Sequence, residues 1–293
     1  MSRTKFIILL VITTGLMGSS FAVGKIGLTY VSPLLLVGLR FTIAGLLMTS
    51  VVALLKRPHP RKLTEWLQMI MVGTFQTAFV MGCIFLSLRT ISAGESSILT
   101  FTNPLLVVVF GTLFMKMKYR KLQWVGVVVG FLGVVITLGA SLNLQKLGTV
   151  LGLMSAISWA VATLLLKRWG SAFDTWVLTA YQMLFGGLLL LLMSALFEDI
   201  HIVFAPASVF IILWLAIMAS IVQFTIWFYL LQKEDPGKVS SFLFLAPLFG
   251  VISGWLLLNE QLHFSTLAGG SIILVGIYLV NKPSVKGTRS QPS

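Results

Sequence analysis

The chain holds 293 residues, of which 57% are hydrophobic and only 10% charged. A soluble globule covers its surface with about a quarter charged residues, so this composition, with a mean hydropathy of +1.00, excludes a water-soluble domain and points to an integral membrane protein. The net charge of +13 therefore concerns where Lys and Arg sit relative to a bilayer, and no nucleic-acid partner is expected.

A helix rises 1.5 Å per residue, so a hydrocarbon core about 30 Å thick needs ~20 apolar residues. Cutting at charged or Pro/Gly-rich breaks predicts ten such runs. Run 6–28 follows Arg3 and Lys5 and carries Lys25 near its end. Its Ala22-Val23-Gly24 resembles a signal-peptide cleavage site, but the run is long for a signal and belongs to the repeat described below. Run 34–55 carries Arg40, run 66–88 carries Gln76, and run 92–115 carries Glu95, Asn103 and Pro104. Runs 121–141 and 147–167 follow, the second with Trp159. Tyr181 and Gln182 lie in run 175–196, Gln223 and Trp227 in run 206–231, and Pro247 in run 237–258, just before Glu260. Run 264–281 closes the series. Stretches 125–129 and 188–193 lack the apolar–polar alternation of a lipid-facing barrel strand. The expected fold class is an all-α membrane protein.

Charge sets the expected topology. With the N-terminus in the cytoplasm, only Lys25, Arg40, Arg89 and Lys146 fall on the outer half, and every other basic residue falls inside. An even number of spans then puts both termini in the cytoplasm of a cell with an inner membrane.

The chain repeats itself. At an offset of 143, Gly94 meets Gly237, Phe101 meets Phe244, Pro104-Leu105 meets Pro247-Leu248, Gly111 meets Gly254 and Gly126 meets Gly269. At 142, Lys25 meets Lys167 and Arg40 meets Gln182. Aligned glycines and prolines weigh most, because no apolar residue supplies their backbone roles. Five helices per half force the second half to enter from the opposite side. The expectation is ten transmembrane helices as two inverted five-helix repeats, residues 1–142 and 143–293, with a substrate site between the halves.

Particular residues also resemble a known family. Ile226-Trp227-Phe228-Tyr229, Ala246-Pro247, the stretch from Gly254 to Glu260, and Gly269-Gly270 through Gly276 resemble the ten-helix EamA-type branch of the drug/metabolite transporter superfamily. Gly18-Ser19-Ser20-Phe21 and Leu39-Arg40-Phe41 fit its first half. Two departures are Met17, in place of a frequent tryptophan, and Met117, where the repeat predicts a counterpart of Glu260. The resemblance implies transport of a small molecule, often export of amino acids or related metabolites, with efflux of drugs or hydrophobic cations as the alternative.

Ionisable groups inside a bilayer are costly unless they meet a partner or water. Lys25, Arg40, Glu95 and Glu260 are expected in the outer third, as a charged vestibule or gate or, alternatively, as snorkelling and helix-capping groups. Arg40 is the natural clamp for a carboxylate, and Glu95 is the candidate for proton coupling. Gln76, Asn103, Gln182 and Gln223, with Trp159, Tyr181 and Trp227, are expected nearer the midplane, where they suit a small zwitterion in an apolar cavity. Pro104 and Pro247 are expected to kink their helices.

Other chemistries lack their residues. One cysteine, Cys83, excludes a disulfide framework. His59, His201 and His263 fall between the apolar runs, so neither a metal site nor an intramembrane hydrolase is expected, and no cofactor. The segment from Gly18 to Gly24-Lys25 has Ile26 where a phosphate loop needs Ser or Thr. A channel would need a continuous polar lining. Oligomeric state is left open by the sequence.

Overall fold

The computed structural model describes residues 2–138, 147–233, 239 and 241–281. The expected boundary between the halves, 142/143, lies outside the described residues, as do Lys146 and the basic C-terminal tail. Among the described residues the secondary structure is helical apart from one antiparallel bridge, Val31 to Ile202, between two loops.

Helix α1 runs Arg3–Gly27 and α2 Pro33–Leu54. Helix α3 is Leu63–Gly73, a π-helical turn Thr74–Phe79, and Val80–Ser87. Helix α4 is Ala93–Thr100 resuming at Asn103–Met115, and α5 is Lys121–Leu138. Then come α6, Leu147–Trp169, and α7, Thr175–Phe197. Helix α8 is Pro206–Ala216, a second π-helical turn Ile217–Val222, and Gln223–Lys233. A 3-10 turn, Ser241–Phe244, leads into α9, Leu245–Leu258, and α10 is Phe264–Asn281. Seven helices are long and apolar enough to cross a membrane; Lys121–Ile136, Leu245–Leu258 and Phe264–Val280 are shorter apolar helices.

Polar residues set the ends. Ser2, Ser92 and Asp174 accept backbone N–H groups at the starts of α1, α4 and α7, meeting donors that a helix start leaves unpaired. Leu34 N and Leu35 N donate to the Glu198 carboxylate at 2.9 and 3.2 Å, so a residue after α7 caps α2. At the other end of two helices, Lys116 and Asn259 both adopt a left-handed φ of 52°. Met117 N then reaches Gly111 O and Glu260 N reaches Gly254 O, at 3.0 and 3.2 Å, so the two helices end in the same way, with a bond one residue wider than the closing bond of a Schellman stop.

Two pairs of elements recur at an offset of 143. The three pieces of α8 begin 143 residues after the three pieces of α3, and α10 begins 143 after α5. The paired π-helical turns are the most specific part of this match, because such turns are rare.

The prolines behave differently from the expected kinks. Helix α4 stops at Thr100 and restarts at Asn103, so Pro104 falls in the first turn of the new segment. Pro247 likewise lies in the first turn of α9, after the 3-10 turn. A missing N–H costs little there, so each proline restarts a broken helix where a kink in a continuous one was expected.

Association between apolar helices in lipid relies on close packing. Pairs α5–α10 and α2–α7 make the most extensive contacts. In the first, a Cβ at Gly126 would stand 2.7 Å from Gly276 O, so only glycine permits the approach. The opposite faces, including Val125, Val128 and Leu132 of α5, are exposed and apolar, as a lipid-facing surface requires.

Candidate functional site

A cavity of about 420 Å³ lies among the helices. Phe21, Phe85, Phe101 and Trp159 are among its aromatic lining residues, with Phe101 at 5.4 Å from Trp159 and 6.2 Å from Phe21, centroid to centroid. Arg40, Gln76, Asn103, Gln182, Gln223 and Trp227 also line it, as does Pro104. Arg40 is the only formally charged side chain among the described lining residues.

Arg40 sits apart from the other three expected gate residues. It lies seven residues past Pro33, about 10 Å down the α2 axis, and is 3% exposed. Its Nε donates to Ser220 Oγ at 2.9 Å and its Nη2 to Ala219 O at 2.8 Å. Both acceptors belong to the π-helical turn of α8, and Ser220 Oγ itself donates to Leu215 O at 3.0 Å. A π-helical turn displaces backbone carbonyls from the ordinary ladder, and here α2 supplies the donor. The matching turn in α3 is met in the same way, by Ser158 Oγ donating to Phe75 O at 3.0 Å.

Gln76, Gln182 and Gln223 are 8%, 5% and 2% exposed. Among the described residues five buried side-chain polar atoms lack a partner, and Gln76 Oε1, Gln182 Oε1 and Gln223 Nε2 are three of them. Buried polar atoms are normally paired, and an unpaired one costs about 1–3 kcal/mol. All three residues border the cavity, so neutral amides stand in its wall beside Arg40.

Lys25 and Glu260 lie outside the cavity lining and meet each other. Lys25 Nζ donates to Glu260 Oε1 at 2.9 Å and to Ile91 O at 2.8 Å. Ala93 N and Gly94 N donate to the two Glu260 oxygens at 2.8 and 3.4 Å. The carboxylate thus caps the N-terminus of α4 while pairing with α1, joining three helices at one point. Glu95, half-buried in the first turn of α4, accepts from Thr149 Oγ1 at 3.3 Å and does not line the cavity. Pro247 is also outside the lining.

Tyr181 packs elsewhere. Its ring lies 4.8 Å from Trp66 and 5.8 Å from His59 and Phe185. Neighbours on a helix point about 100° apart, so Gln182 faces the cavity and Tyr181 faces that cluster.

The lining includes residues that hydropathy does not single out. Tyr119 and Gln123, from the junction of α4 and α5, and Val280, near the end of α10, line its far end. Gln123 Nε2 donates to Val280 O at 3.1 Å and Tyr119 Oη to Val107 O at 3.3 Å. Burial pushes the Tyr119 hydroxyl pKa up, keeping it a neutral donor. This end lies at the opposite extremity of α4, a 23-residue segment, from the Lys25–Glu260 contact. The cavity therefore reaches one end of the bundle and stops short of the other.

The cavity thus holds one buried cation and several buried amides among its described lining residues, within a bundle of long apolar helices. The EamA-like transporter family matches residues 4–139 and 146–282, and the chain belongs to that family. It is similar to the uncharacterized transporter YvbV of Bacillus subtilis, 29% identical over 96% of this chain and 93% of that protein. An uncharacterized transporter of Archaeoglobus fulgidus is 31% identical over 94% of this chain and 97% of that one. A crystal structure 20% identical in sequence superposes with a TM-score of 0.64, covering 95% of this chain and 98% of that chain. The protein is a multi-pass membrane transporter, and its family and relatives are not enzymes.

Proposed function

We propose that this transporter is a secondary carrier working by alternating access, with halves 1–142 and 143–293 inserted in opposite senses around one cavity. On this reading α1 to α10 all span the bilayer and both chain ends are cytoplasmic, for which the positive-inside bias argues. The Lys25–Glu260 contact closes the extracytoplasmic mouth. The observation that carries the reading is the one-ended cavity: an ion pair with helix-capping bonds joins α1, α4 and α9 at one extremity, and the cavity runs to the other.

The cargo is a small carboxylate-bearing metabolite, an amino acid or a related compound, moved outward. Arg40 carries the only lining charge among the described residues and offers a planar fork suited to a carboxylate. A hydrophobic cation, the alternative cargo, would meet a like charge with no acid beside it.

Purified protein in liposomes is expected to show saturable counterflow of labelled substrate; flux that rises without limit is the behaviour of a pore and would remove the carrier reading. The latch has its own test. In a Cys83→Ser background, Ser20→Cys places a thiol in the cavity lining. Adding Lys25→Met or Glu260→Gln is expected to speed its labelling by an impermeant maleimide from the extracytoplasmic side. Unchanged labelling in both would separate the ion pair from gating.

A further inference from the structure

We infer that the cavity selects an organic monoanion: a carboxylate on an apolar or aromatic body whose other polar groups are uncharged hydrogen-bond donors, in preference to a zwitterion or a cation. This narrows the cargo of the carrier reading from amino acids and related compounds to those relatives whose amine is absent or acylated; its exchange measurement rests on that reading, while its binding measurement does not.

The charge count comes first. Arg40 is buried, and both hydrogen bonds described for its guanidinium go to neutral acceptors, Ser220 Oγ and Ala219 O. Among the described lining residues there is no Asp, Glu, Lys or His. A buried charge without a counter-ion is unfavourable, and pairing removes much of that penalty. A bound carboxylate brings the cavity to neutrality. A zwitterion returns it to a net positive charge, with an ammonium sharing the low-dielectric space with the guanidinium and no carboxylate of the protein to face it. An organic cation adds its charge to that of Arg40.

The polar lining agrees, since apart from Arg40 it is neutral, with Gln76, Gln182 and Gln223 as its buried amides. Amide oxygens are satisfied by a neutral O–H or N–H; they carry no full charge with which to balance an ammonium. The Gln223 amide can share the carboxylate with Arg40. Phe21, Phe85, Phe101 and Trp159 leave a surface for a ring or branched alkyl body, and about 420 Å³ lies within the usual range of small-ligand sites. Gln182 stands where the repeat aligns it with Arg40, so the two halves present a cation and a neutral amide at equivalent places, and the ligand has a charged end and an uncharged end.

Four ligands of similar shape separate the classes: 3-phenyllactate and N-acetylphenylalanine as monoanions with a neutral donor, phenylalanine as zwitterion, and phenylethylamine as cation. Their affinities for the detergent-purified full chain are read by tryptophan fluorescence and calorimetry, and their exchange by counterflow in liposomes. Both monoanions are expected to bind at least about tenfold more tightly than phenylalanine, a difference of about 1.4 kcal/mol, and phenylethylamine weakest. Raising the pH until the phenylalanine amine loses its proton is expected to close the gap. Gln182→Glu, which gives the cavity an acid, is expected to shift the preference toward phenylalanine. Equal or tighter binding of phenylalanine at neutral pH would overturn the inference, as would failure of both monoanions to bind at millimolar concentration. Monoanion binding without exchange would support the ligand class and remove the carrier reading, whereas saturable exchange of phenylalanine in preference to the acids would do the reverse.

Discussion

Arg40 reaches from α2 to the displaced backbone of α8, and the two bonds it makes there fix the plane of its guanidinium. Lysine keeps the charge but neither the plane nor the paired donors. Counterflow of a carboxylate substrate is therefore expected to fall in the order wild type, Arg40→Lys, Arg40→Ala, and equal activity of the two variants would remove the clamp. Ser220→Ala keeps the charge and deletes one support; it is expected to weaken substrate affinity by roughly fivefold, about 1 kcal/mol. Glu95 serves as an acid in the first turn of α4, outside the cavity. Glu95→Gln is expected to cost about 0.5 kcal/mol of stability and to leave the pH profile of transport unchanged; a displaced profile would restore the proton role expected from sequence. At this scale the sequence announces a buried Arg, because nothing cheap explains one within an apolar run. It cannot separate Tyr181 from Gln182, since hydropathy is blind to rotation about the helix axis. Ser220 carries no signal at all, because its part depends on a local change of helical pitch.

The helical elements were legible from apolar run length, and the aligned prolines from the repeat. What those prolines do was not, because the same residue serves a kink or a restart, and only the turn before Asn103 or Leu245 decides between them. The π-helical turns were invisible for a related reason. Thr74–Phe79 and Ile217–Val222 differ little in composition from the helices around them, and one extra residue per turn leaves hydropathy untouched. Gly126→Val would drive a branched side chain against Gly276 O and is expected to cost about 2 kcal/mol by overpacking, seen as a lower melting temperature in detergent, with Val128→Leu on the exposed face of the same helix as the neutral control.

For the whole molecule, the starts of α8 and α10 fall 143 residues after those of α3 and α5, in step with the sequence repeat, whereas the sidedness of the cavity was not readable, since run lengths do not say where helices part. Reporter fusions at the two chain ends are expected to score on the same, cytoplasmic, face of the membrane; opposite faces would remove the inverted-halves reading. The charge that Arg40 brings to the cavity bears on energetics. A cargo of opposite sign that neutralises Arg40 still leaves the cell as a net negative charge. Expelling it from an interior held 100 mV negative is favourable by about 2.3 kcal/mol, enough to sustain roughly a fiftyfold concentration difference. Under the monoanion reading, the electrical gradient across the bilayer is by itself a sufficient engine for efflux, and the described lining holds no carboxylic acid that would tie the cycle to a proton.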